Sequence, residues 1–167
     1  MATGNMVIGS GTAMAYALNV TGNILLGGNI IPSANVTYDL GSSTMNWRDI
    51  YSEDFILVSD RRKKTNIENL DYGLQTILKL NPVKYNWIGR EHEEKRIGLI
   101  AQDLQAIVHE AVNVGADEQH SMAIRYIDLI PVLIKAVQEQ QREIKSQDDR
   151  IKRLEALLNT GREGCEP

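Results

Sequence analysis

The chain has 167 residues, 43% of them hydrophobic and 24% charged, with a formal charge of −4 and a pI near 5.4. That is enough apolar material for one small core and excludes global disorder, while the acidic balance argues against general nucleic-acid binding, which needs a basic face. The lone Cys165 excludes an intrachain disulfide or a cysteine metal cluster, and no apolar run is long enough to span a bilayer, so the chain reads as soluble.

Residues 1–58 hold seven of the thirteen glycines and one basic residue, Arg48. Short apolar runs, Val7-Ile8, Ile24-Leu25-Leu26 and Ile30-Ile31, alternate with the breakers Gly9-Ser10-Gly11, Gly27-Gly28 and Pro32-Ser33. The pattern predicts short strands and turns, a β-rich segment too glycine-rich to bury a core alone. Such a segment becomes stable when identical chains pair with it, as in a fibre shaft.

At Ser59 the grammar changes. The charged run Ser59-Asp60-Arg61-Arg62-Lys63-Lys64 opens a stretch that reads as a compact α+β domain over residues 59–128. Leu70, Leu74, Ile77, Leu78 and Leu80 fall at helical spacing before Asn81-Pro82 stops them. Val83 to Ile88 alternates as a strand, and Ile97-Gly98-Leu99-Ile100 reads as a buried strand leading into a helix from about Ala101 to His109. Two short strands, Val112 to Val114 and Met122 to Tyr126, complete the set.

Residues 129–159 carry a seven-residue repeat, with Ile130, Val137, Ile144, Ile151 and Leu158 at a positions. Leu133, Gln140, Gln147 and Leu154 fall at d, so two central layers are polar. Sustained heptads predict a coiled coil, for which a trimer is the preferred state, and polar d residues favour register over maximum stability. A solitary amphipathic helix packed on its own domain is the alternative. Residues 160–167 read as a flexible tail.

Chemistry concentrates at the border. A serine hydroxyl needs a base before it can attack, and a lysine serves when neutral, a form that cationic neighbours favour. Ser59 and Lys64 lie five residues apart with Arg61, Arg62 and Lys63 between them. Spacing alone favours a solvated basic turn over a catalytic pair. His92, His109 and His120 lack metal-ligand spacing, and no phosphate-binding glycine motif occurs, so neither a metal nor a cofactor is expected.

Ser59-Asp60-Arg61-Arg62-Lys63-Lys64-Thr65-Asn66-Ile67 resembles the Ser-Asp-x-Arg-x-Lys-x-x-Ile signature of the endosialidase-type intramolecular chaperones, self-cleaving C-terminal domains of phage tail spikes and fibres. Ile97 to Leu104 is similar to the family's Gly-x-Ile-Ala-Gln element, and Val83 to Trp87 to the strand before it. Asp39 to Thr44 and Trp47 to Tyr51 resemble the segment that often precedes this domain. Lys63 is an extra cation that the signature does not require.

The resemblance implies Ser59 as nucleophile, Lys64 as general base, and cleavage between Ser59 and Asp60. Arg62 would either hold Asp60 or act on Lys64, and Gln102 would place the scissile loop, stabilise an oxyanion, or merely cap backbone. Attack by Ser59 on its own carbonyl would close a strained four-membered ring, whereas attack on the Val58 carbonyl passes through five members, so the bond and the route stay open. The implied protein is a homotrimer that binds neither nucleic acid nor membrane. Its fibre part would sit in the virion tail and bind a bacterial surface receptor, with the released chaperone left in the host cytoplasm. A non-cleaving trimerisation or receptor-binding tip with an inert Ser59, and a self-cleaving transcription factor like myelin regulatory factor, read the same residues differently.

Overall fold

The computed structural model describes residues 20–163, with side chains up to residue 159. Two compact units divide the chain, one ending at Leu40 and the other beginning at Gly41.

Within the first unit, residues 20–40 form turns and irregular backbone and are exposed throughout. The expected β-rich character does not appear there or in residues 41–58, none of which pairs as a strand. A strand exists only by pairing, and this glycine-interrupted stretch offers itself no second strand in register. Ile24, Leu25, Ile30 and Ile31 are exposed in consequence. Val7-Ile8 lies outside the described residues.

The second unit is α+β. Its elements in order are α1 (Leu74–Ile77), β1 (Val83–Tyr85), β2 (Arg96–Gly98), α2 (Ala101–Gln105), β3 (Val112–Val114), β4 (Met122–Ile124) and α3 (Leu129–Glu163). Strands β1 and β2 make one antiparallel hairpin, with Val83 opposite Gly98 and Tyr85 opposite Arg96. Strands β3 and β4 make a second, with Val112 opposite Ile124.

The core is Leu104, Val108, Ala111, Val112 and Leu129, with Tyr72, Leu80, Leu99, Ile107, Met122 and Ile124 packed around it. Burying Leu104, 2% exposed, contributes roughly 2 kcal/mol by itself.

Several elements are shorter than their patterns predict. Helix α1 starts only at Leu74 because Gly73 is extended, with φ −146 and ψ −143. Helix α2 ends at Gln105 rather than His109, since the β-branched pair Ile107-Val108 turns Val108 inward to 3% exposure while its amide still bonds Leu104 O at 2.8 Å. Ile97 to Ile100 is not a buried strand: Ile97 is 74% exposed, because a two-stranded hairpin packs one face only.

Helix α3 is 35 residues long, roughly 50 Å. It continues to Glu163, into the expected tail. Leu129, Val132 and Ala136 form one buried stripe against the domain. The a and d apolar residues form a different stripe, each between 48% and 71% exposed. The helix therefore presents two apolar faces, only one of which the described residues cover.

Candidate active site

Residues 59–64 fold as a single tight turn. Asp60 caps a 3-10 helix over Arg61–Lys63: its Oδ1 accepts from the Arg62 amide at 2.9 Å. Backbone bonds from Lys63 N to Asp60 O (3.0 Å) and from Lys64 N to Arg61 O (3.1 Å) close the turn. Lys64 leaves it in an extended conformation, φ −119 and ψ 145. Its ammonium thereby returns over the start of the turn and donates to Ser59 Oγ at 2.6 Å.

Arg62 is turned toward Asp60. Its Nη2 donates to Asp60 Oδ2 at 2.6 Å and its Nε to Oδ1 at 3.1 Å, a forked pair. That side-chain bond, with the Arg62 amide second, holds the Asp60 carboxyl below its ordinary range, and Asp60 in turn raises the Arg62 guanidinium. Of the roles open to Arg62, the geometry supplies the bracing of Asp60. The pair fixes the residue on the far side of the Ser59–Asp60 bond.

Ser59 and Lys64 are both exposed. Immediately before them Phe55, Ile56, Leu57 and Val58 are also exposed, an apolar run ending at the serine. Gln102 lies exposed on the first turn of α2, and no hydrogen bond joins it to Ser59, Asp60 or Lys64 among the described residues. Thus Ser59, Asp60, Arg62 and Lys64 come together, and Gln102 does not join them. His92, His109 and His120 are exposed, and no hydrogen bond or ion pair joins them to the turn among the described residues; His109 begins a 3-10 turn and lies 3.4 Å from Glu110 Oε2.

Residues 59–113 match the family described as chaperone of endosialidase. The turn stands at the first residue of the matched region, and Gln102 falls inside it. Similar proteins include the long tail fiber protein Gp37 of Enterobacteria phage K3, 30% identical over 118 residues, which are 68% of this chain and 9% of that protein. Gp37 of phage Ox2 is 33% identical over 106 residues, 60% of this chain and 40% of the relative, and Gp37 of phage M1 is 34% identical over 98 residues, 55% and 39%. The chain thus spans well under half the length of these relatives.

Two supporting contacts of the chaperone domain carry no strong sequence signal. Tyr126 Oη accepts from Leu99 N at 2.9 Å, tying the entry of α3 to the end of β2. Glu139 Oε2, ten residues into α3, accepts from Leu74 N at 2.7 Å and so caps α1. Both join residues far apart in sequence, beyond the reach of local patterning.

Proposed function

We propose that this chain is the C-terminal end of a trimeric phage tail fibre or spike, whose chaperone domain drives assembly and then frees itself by cutting next to Ser59. The observation that carries the reading is the 2.6 Å bond between Lys64 Nζ and Ser59 Oγ, set up by a turn whose sequence is the family signature. A neutral amine at that distance is in reach to take the hydroxyl proton.

The Ser59–Asp60 bond is the favoured cut. Because attack by Ser59 on its own carbonyl closes a four-membered ring, the hydroxyl acts on the equivalent carbonyl of another copy or passes a proton from an attacking water to Lys64. In both routes the C–N bond breaks, and the proton gained by Lys64 goes to the departing Asp60 nitrogen. In the first, water then hydrolyses the serine ester.

The trimer reading rests on the exposed a and d stripe of α3 together with the unpaired apolar residues upstream. Three chains would cover the stripe and provide the strand partners that one chain lacks. Registering chains at one end raises their effective concentration for the slow pairing of a shaft, and removing the helper afterwards leaves the product kinetically trapped. The fibre would belong to the virion tail and meet a bacterial receptor, and the helper would remain in the host cytoplasm.

Intact-mass measurement tests the reading. The parent should yield fragments ending at Ser59 and beginning at Asp60, while Ser59→Ala and Lys64→Ala stay whole. A parent as intact as Ser59→Ala would leave an inert trimerisation tip as the function.

A further inference from the structure

The Ser59–Asp60 bond does not lie at the edge of a compact unit. The second unit begins at Gly41, well before the serine, so residues 41–58 belong structurally with the chaperone domain they precede. The start of this segment is folded on itself: Gly41 has φ +90, Ser42 N bonds Met45 O at 3.0 Å, and Met45 N bonds Ser42 Oγ at 3.0 Å. The turn presents Ser43 to the loop between β3 and β4 and leads to Arg48.

The receiving surface has two parts. Asp117 Oδ1 accepts from Ser121 N at 3.1 Å and from Ser121 Oγ at 2.9 Å, which fixes the loop. Its Oδ2 is shut from solvent without a hydrogen bond of good geometry, and the Ser43 hydroxyl is the donor that faces it. Ser43 also lies against Gly115, where a Cβ would stand 2.7 Å from its own Cβ. The second part is Glu93, held by Arg90 at 3.7 Å and reached from upstream by Arg48 at 3.9 Å.

We propose that Gly115, Asp117 and Glu93 form a product-binding surface for residues 41–48, so that cutting at Ser59 leaves a nicked complex and release is a separate, salt-sensitive dissociation. This rests on the cleavage reading above. Scission removes one covalent link and none of these contacts. The exposed Arg48–Glu93 pair weakens with ionic strength, and the hydroxyl of Ser43 against Asp117 is too weak to hold the product alone.

Gel filtration of the cleaved protein tests it. At about 50 mM salt the fragments should elute together, and at about 1 M they should separate, as screening predicts. Ser43→Asp, an exposed change that sets a carboxylate against Asp117, and Asp117→Ala should each speed dissociation about tenfold, the size of one hydrogen bond to a charged group. Fragments that part at once in low salt, or variants that dissociate at the parental rate, would overturn the proposal. Because Ser43→Asp is an exposed change outside residues 59–113, its result stands even if Asp117→Ala fails to fold. If no cleavage occurs, the cleavage reading fails on its own. A site-specific protease sequence placed between residues 59 and 60 of the Ser59→Ala chain then gives the nicked form for the same measurements.

Discussion

Asp60 and Arg62 show how a few side chains shape a loop that buries nothing. The Asp60 carboxyl is held below its ordinary range by Arg62, so its bonds are fully present above the unfolded-state value of 3.8. They are lost only as pH falls through the lower folded-state value. Arg62→Ala removes the larger cause and keeps the backbone amide, so it should raise the Asp60 titration part of the way toward the ordinary carboxylate range, which carboxyl NMR would read directly. Gly98 is constrained by contact rather than by backbone angle. A Cβ there would stand 2.5 Å from Tyr126 Oη and 3.3 Å from Tyr85 Cε1. Gly98→Ala should therefore displace Tyr126 from Leu99 N and cost about 1–3 kcal/mol in urea unfolding, as overpacking does. An unchanged midpoint would mean that the tyrosine moves freely.

At the scale of elements, α3 carries the organisation. Its stripe of Leu129, Val132 and Ala136 docks the domain, and Glu139 extends that face by capping α1. The heptad stripe is a separate surface, so changes there need not disturb the domain. Ile144→Asp with Ile151→Asp should abolish trimers in sedimentation while leaving the hairpins folded by NMR. Gln140→Ile with Gln147→Ile should do the reverse and raise the thermal midpoint, since apolar d residues replace two polar layers. A parental midpoint in the second variant would argue that these glutamines lie outside any helix interface.

For the whole molecule, the prediction is that chemistry waits on assembly. The Ile144→Asp, Ile151→Asp chain should remain uncut in the mass measurement, and undiminished cutting by that monomer would remove the coupling. The 2.6 Å contact of the dyad lies within one chain. Mixing Ser59→Ala and Lys64→Ala chains should accordingly restore no cleavage. Fragments in the mixture would place the serine and lysine of the working site on different copies.

The sequence by itself determined what depends on near neighbours. A serine, a cap-forming aspartate and a lysine five residues on are enough to make the 59–64 turn, because every bond in it spans at most five positions. The seven-residue repeat likewise foretold a helix whose apolar seam faces away from its own domain. Tertiary structure alone decided the distant pairings: Tyr126 on Leu99, Glu139 on Leu74, and Ser43 facing Asp117. It also decided where strands and helices stop, since Val108 turning into the core overrode the helical pattern and Ile97 faces outward on a two-stranded sheet. Those outcomes follow from packing and pairing between remote segments, which local periodicity does not encode.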